Sequence, residues 1–244
     1  VNAPIDVTAV LFEQRSKPRG DEHLAHCADL YGCDRATWYR RRGLKPAPFT
    51  PSKLAQFAIG HGYEGEVRET LAEAGLKLMP DGTTVEFLGL TGHPDIVVTE
   101  NVPDLLGPSG ELVVEVKTTE LVNPKDEVSP HYAIQAAFYA LALQAPRAVV
   151  LVKHAKSHAE VPYEVDPEEW RAIIEQRAAE VLERTHPDAP IPPMEPSELA
   201  KWGCSYCDWR RCARNPKWDG THEAEAWESV MEEERNDGTL GEDW

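Results

Sequence analysis

The sequence predicts an α/β fold: a mixed central β-sheet flanked by helices, with the N- and C-terminal segments joined by a cysteine metal cluster. Three observations carry this expectation. Helical and strand-like periodicities follow one another in the order helix, three strands, helix, strand, which suits a mixed sheet covered by helices. The stretch Glu111-Leu112-Val113-Val114-Glu115-Val116-Lys117 is an apolar strand, yet its Glu115 and Lys117, two residues apart, point to the same face. Cysteines gather near one end (Cys204, Cys207 and Cys212) and recur near the other (Cys27 and Cys33).

Taken in order, residues 1–22 lack periodicity and read as an arm. A helical pattern runs from 22 to 42, with Gly43 as its stop. Lys45-Pro46-Ala47-Pro48 is a connector. A second helix spans 51–75, with Leu54, Phe57, Ala58, Val67 and Leu71 as its apolar stripe. Residues 85–90 and 95–99 read as the two strands of one antiparallel hairpin. The strand 111–118 follows, then an apolar-faced helix over 128–144, a buried strand over 148–153 and an edge strand over 161–165. The helix over 167–185 opens with Pro167-Glu168-Glu169, a strong N-terminal signature. A proline-rich connector leads to the cysteine module. The expected organisation is an N-terminal helical segment (1–50), a core (51–186), the cysteine module (187–218) and an acidic tail (219–244).

Net charge is −17, which does not favour strong non-specific binding to nucleic acid. The charge is uneven, however. Residues 219–244 hold ten acids against one arginine, Arg235. Positive charge gathers at Arg35, Arg40, Arg41, Arg42 and Lys45, and again at Arg210, Arg211 and Arg214. No run has the apolar length of a membrane span, and no charged-then-apolar leader is visible, so a cytoplasmic protein without membrane contact is expected.

Two charges on an otherwise apolar strand are costly to bury without a purpose. Gly92-His93-Pro94-Asp95 places an acid at the start of the strand before it. Hard oxygen ligands suit Mg²⁺ or Mn²⁺, so Asp95 and Glu115, with the Val116 carbonyl, form a candidate metal site. Lys117 would orient the attacking water and stabilise developing negative charge. Standing alone, Glu-x-Lys is a common ion pair; the acid at 95 is what favours a site. A further acid is expected from the helix before, where His61 and Glu64, three apart, share a face and either completes the set. Gln135 and Tyr139, one turn apart on the helix over 128–144, are candidates for positioning a phosphate or a nucleotide.

Gly92-x-x-Asp95, Glu115-Val116-Lys117 and Gln135-x-x-x-Tyr139, in this order and spacing, resemble the PD-(D/E)XK nucleases of the RecB-like group. The resemblance implies a restriction-endonuclease-like fold, an acidic metal-binding pair, a catalytic lysine and a Gln-x-x-x-Tyr motif that assists DNA binding and catalysis. That group often places a metal-binding His four residues after a Gly. Here the position four after Gly60 is Glu64, as in related phage-type recombination nucleases, which favours Glu64 over His61.

The spacing Cys204-x-x-Cys207-x₄-Cys212 is ligand-like, and three thiolates need a fourth for a closed zinc or iron–sulfur site. Cys33 and Cys27 both qualify. The arrangement resembles the iron–sulfur subset of the RecB-like group, which includes the CRISPR-associated Cas-four family and the AddB nuclease domain. There one cysteine precedes the nuclease motifs and three follow, holding a 4Fe–4S cluster. Cys33-Asp34-Arg35-x-x-Trp38-Tyr39 is similar to that subset's first-cysteine motif and selects Cys33. The last gap is four residues where five is usual, which keeps zinc as the alternative. Arg35, Arg40, Arg210 and Arg211 would then gather near the cluster as contacts for DNA backbone.

The resemblance implies a metal-dependent DNA exonuclease acting on single-stranded DNA or DNA ends in recombination, repair or CRISPR adaptation, with a protein partner from one of those processes and an oligomeric state left open. Two other classes fit parts of the pattern: a catalytically idle DNA-binding subunit, and a zinc-stapled protein-interaction module.

Overall fold

The computed structural model describes residues 23–44, 46, 49–100, 111–120, 124–193, 207, 209 and 212. The arm at 1–22, Cys204, the arginines at 210, 211 and 214 and the acidic tail lie outside the described residues.

The helical region at 22–42 divides in two. A 3-10 turn covers Cys27–Leu30, and helix α1 covers Asp34–Arg41. Tyr31, Gly32 and the extended Cys33 separate them, with Cys33 as N-cap of α1. The break has a local cause. The Asp29 carboxylate accepts from the His26 backbone N–H, from Thr37 Oγ1 at 2.8 Å and from Arg40, which ties the turn back onto α1. Gly43, at φ 73°, then stops the helix as expected.

Helix α2 (Pro51–Glu73) starts on Thr50, whose side chain accepts from the Lys53 N–H, with Pro51 in the first turn. Strand β1 (Lys77–Leu78) follows. Strands β2 (Val85–Phe87) and β3 (Leu90–Gly92) then pair with each other as a separate two-stranded sheet. The expected hairpin of 85–90 with 95–99 is therefore not formed. Leu88 (φ 53°) and Gly89 (φ 76°) are both left-handed, and such a two-residue turn closes the chain on itself at once. Strand β4 (Ile96–Glu100) is released to pair antiparallel with both β1 and β5 (Leu112–Thr119).

Helix α3 (Pro130–Leu143) crosses from β5 to its parallel neighbour β6 (Arg147–His154). Strand β7 (Glu160–Val165) pairs antiparallel with β6 at the sheet edge, as expected, and helix α4 (Pro167–Arg184) closes the described core under an Asp166 cap. The five-stranded sheet has the order β1-β4-β5-β6-β7. It is mixed and flanked by helices, in agreement with the expected class.

Strand alternation sorts β5 onto two faces. Val113 joins the main core with Ala133, Ile134, Ala136, Ala137 and Phe138 of α3, Ile174 and Ala178 of α4, and Ala25, Cys27 and Leu30. Val114 and Val116 join a second core with Tyr63, Val67 and Leu71 of α2. Phe57, placed in the α2 stripe by periodicity, is outside that cluster and 42% exposed. The N-terminal segment is held to the body by backbone and side chain: the Thr91 N–H donates to the Ala25 carbonyl, and Arg177 donates to the Leu30 carbonyl and to Asp34. No helix among the described residues is long and apolar enough to cross a membrane.

Candidate active site

The site forms where β4 and β5 diverge. Ile96 pairs with Val114, so Asp95, one step earlier, falls opposite Glu115 at the point where β4 leaves the sheet. There the Val116 N–H donates to Asp95 Oδ2 at 2.8 Å instead of to a neighbouring strand. In a strand the N–H and C=O of one residue point to the same edge, so the Val116 carbonyl faces the same opening as Asp95. The Asp95 backbone is braced by Arg68 of α2, which donates to the Asp95 carbonyl at 3.3 Å and also to the Met79 carbonyl. Arg68 was not singled out from the sequence. Its position four residues after Glu64, on the same helical face, was the available signal.

Glu115 is fully buried. Its Oε1 contacts Lys117 Nζ, and its Oε2 has no hydrogen-bond partner. Lys117 Nζ also lies 3.8 Å from Asp95 Oδ2 and 5.8 Å from the centre of the Tyr132 ring. Burial pushes the Glu115 carboxyl up, to about 8, with Asp95 adding to the shift and Lys117 opposing it. Burial pulls the Lys117 amine down, but the Glu115 and Asp95 carboxylates more than offset this and hold it above its ordinary range.

Glu64 is pushed up to about 7 by burial first and then by the charges of Asp95 and Asp81. It is therefore within electrostatic reach of Asp95 and Lys117, whereas His61 is exposed. No group of three His, Cys, Asp or Glu side chains among the described residues converges closely enough to hold a metal ion. The pair Asp95 and Glu115 is assembled; the third acid stands nearby. A hard divalent cation fits this donor set: a buried carboxylate oxygen lacks a partner, and two carboxyls are held up by burial and by negative neighbours, which a cation would relieve.

Gln135 and Tyr139 come together behind the lysine. Gln135 Nε2 donates to Tyr139 Oη at 3.3 Å, and Gln135 Oε1 accepts from Tyr31 Oη at 3.3 Å. Cys27 Sγ donates to the same Tyr139 hydroxyl at 2.9 Å. Tyr139 is only 2% exposed, so it supports Gln135 from inside, and Gln135 is the member at the half-buried edge. Burial pushes the Cys27 thiol up to about 12, leaving it neutral. Gly92 has a second role beside spacing Asp95. A Cβ there would stand 2.5 Å from Tyr139 Cε1 and 3.0 Å from Cys27 Sγ. Tyr31, Cys27 and His131 were missed as neighbours of the site. Tyr31 and Cys27 reach the site through long-range docking that no local pattern marks, whereas His131, four residues before Gln135 on α3, carried the i, i+4 signal. His131 is pulled down to about 4 by burial and by the Lys117 and Lys125 charges, so it is neutral at pH 7.

The cysteine module meets α1. Trp209 lies against Tyr39 with ring centres 5.2 Å apart in a tilted arrangement, and Cys212 packs with Trp209 against Trp38, Tyr39 and Leu44. Cys33 and Cys212 both act electrostatically on the Tyr39 hydroxyl. Cys27 is instead engaged with Tyr139. The arginines of α1, expected as DNA contacts, are committed inside the protein. Arg35 is buried and donates to Tyr39 Oη at 2.8 Å and to the Pro192 carbonyl, and Arg40 donates to the Leu24 carbonyl and to Asp29. Holding the connector and the turn consumes the charges that a solvated basic surface would display.

A mixed sheet with a carboxylate pair and a lysine at the divergence of two strands defines a hydrolase-type centre that suits a phosphate diester. Residues 12–212 match the family model described as the PD-(D/E)XK nuclease superfamily, and the chain belongs to that superfamily. Among solved structures it is similar to that titled "Crystal structure of SSO0001", at 15% identity and a TM-score of 0.56, over 82% of this chain and 92% of that one. This is a likeness of fold. An alkaline exonuclease (LHK-Exo) from Laribacter hongkongensis matches at 12% identity and a TM-score of 0.47, over 72% of this chain and 92% of that one. No curated protein matches the chain.

Proposed function

We propose that the protein is a divalent-metal-dependent DNA exonuclease that cuts single-stranded DNA or DNA ends, in recombination, repair or CRISPR adaptation. The observation that carries this reading is the union of Asp95, Glu115 and Lys117 at one point, with a buried Glu115 oxygen left unpartnered. Asp95, Glu115 and the Val116 carbonyl would hold Mg²⁺ or Mn²⁺, with Glu64 as the further acid and His61 as its alternative. A cation there supplies charge against the phosphate oxygens and acidifies water. Lys117, whose ammonium is favoured by Glu115 once ionised and by Asp95, orients the attacking water and faces the charge that develops on the phosphate. Gln135 contacts the DNA strand, and Tyr139 fixes the Gln135 amide.

A 4Fe–4S cluster on Cys33, Cys204, Cys207 and Cys212 would staple the two ends of the chain. Its support is the packing of Cys212 against α1, the helix that Cys33 caps. Such a protein would work in the cytoplasm, on DNA, beside a partner from the same process.

The test is cleavage of end-labelled single-stranded DNA with Mn²⁺ and with EDTA. Cutting should require Mn²⁺ and vanish in Lys117→Ala, with the folded state intact by circular dichroism. A parent protein that binds DNA without cutting it would instead be an idle DNA-binding subunit.

A further inference from the structure

The nuclease reading leaves one part of α2 unexplained. Lys53, Phe57, Gly60, Glu64, Val67 and Leu71 share one helical face by spacing. In the C-terminal half that face is core, because Val67 and Leu71 pack on the sheet. Gly60 then lies against Thr118, the penultimate residue of β5; a Cβ on it would sit 3.9 Å from Thr118 Oγ1. The turns before Gly60 therefore reach past the C-terminal end of β5, one helical turn and more beyond Glu64, which feels the charges of Asp95 and Lys117. There the same face presents Phe57, 42% exposed, in edge contact with Phe49 at 5.3 Å. Lys53 Nζ stands 4.7 Å from the Phe49 ring centre and 5.9 Å from that of Phe57.

The charge around this overhang is unlike that of the chain as a whole. The sequence carries 42 acids, yet none falls between Asp34 and Glu64. The first acid after the gap is Glu64, beside the carboxylate pair. An aromatic ring, a cation and an acid-free stretch of chain suit a polyanion with π-faced bases. A protein partner of ordinary acidity would need only the cation, and a purely apolar partner would be opposed by it.

Resting on the nuclease reading, we infer that Phe57, backed by Phe49 and Lys53, is a stacking platform for a base of the single DNA strand that enters the Asp95–Glu115 centre. Phe57 precedes Glu64 by seven residues, about 10 Å along the helix. The stacked base thus belongs to a nucleotide close to, but not at, the scissile bond. A paired base in a duplex has its faces covered by its neighbours, so the platform favours an unpaired end and makes Phe57 a specificity-determining residue.

The experiment measures oligonucleotide binding with Mn²⁺ in the Lys117→Ala background, where no strand is cut, using oligothymidylates that carry a single abasic residue at successive positions. Phe57→Ala should weaken binding of the intact oligonucleotide roughly five- to a hundredfold, the loss of one base–aromatic stack. Phe57→Trp should retain it. At one position the abasic residue should weaken binding to the Phe57 protein but not to Phe57→Ala; a merely structural phenylalanine would give additive losses at every position. Unchanged affinity in Phe57→Ala, or additivity throughout, would overturn the platform while Mn²⁺-dependent cutting by the parent protein left the nuclease reading standing. Absence of any binding to single-stranded DNA would overturn both.

Discussion

At the scale of single residues, the site sets charge against burial. Glu64 and Glu115 keep protons to about pH 7 and 8, because burial and like charges disfavour their ionised forms. In the unfolded chain both release them near pH 4.5. Between those values the folded state binds more protons than the unfolded one, so stability falls as pH rises. Lys117, also raised, acts in the same sense, but only near and above its ordinary value of 10.5. In EDTA, the melting temperature should fall from pH 5 to pH 8 and then level off. Glu64→Gln and Glu115→Gln should each flatten that slope, and Mn²⁺ should restore more stability at pH 8 than at pH 5. A flat profile in the parent protein would mean that these carboxyls are not held up. Gly92 is the other decisive single residue. In Gly92→Ala the new Cβ meets the buried Tyr139 ring. Overpacking of this kind costs about 1–3 kcal/mol, readable by urea unfolding, and cleavage should fall with it because Tyr139 supports Gln135.

At the scale of elements, α2 shows how one helix serves two purposes. Its second half is a conventional packed helix; its middle, Gly60-His61-Gly62-Tyr63-Glu64-Gly65, is weak in helix propensity. At Gly62 a Cβ would meet nothing within 4 Å. Gly62→Ala should therefore stabilise the protein by about 0.5–1 kcal/mol, measured by denaturant unfolding; a loss of stability would show that the helix is under a constraint at that turn. Periodicity placed Phe57 in the core stripe because it reads a helix as if its whole length were covered. Coverage ends where the partner strand ends. The two-strand hairpin is the same lesson in the sheet. Val85–Leu90 alternates like one strand, but two left-handed residues inside it fold it in half.

At the scale of the whole molecule, the 3-10 turn, α1 and the cysteine module come together from opposite ends of the sequence. Arg35, Arg41 and Trp38 bond to Pro192, Thr185 and Ala189, more than 140 residues away. This separates the two N-terminal cysteines. Cys27 belongs to the Tyr139 network, while Cys33, like Cys212, acts on the Tyr39 hydroxyl. If the proposed 4Fe–4S cluster forms, Cys33→Ala should abolish the visible absorbance and iron content of the purified protein, whereas Cys27→Ala should keep both. Zinc without iron in the parent protein would replace the cluster by the zinc alternative, and loss of iron in Cys27→Ala alone would reverse the ligand choice.

The sequence by itself determined what local rules and spacing can carry. Alternation on 111–118 put Glu115 and Lys117 on one face, the i, i+4 spacing joined Gln135 to Tyr139, and the extents of β5, α3, β6 and α4 followed from period and caps to within a few residues. The tertiary structure decided everything that depends on which surfaces meet. It set Asp95 opposite Glu115 through the β4–β5 register, aimed Arg68 at the Asp95 backbone, turned the α1 arginines inward and brought Tyr31 and Cys27 to Gln135 and Tyr139. The reason is physical. A side chain's direction along its own strand or helix is a property of the backbone, but its partner is chosen by long-range packing, which leaves no periodic trace in the chain.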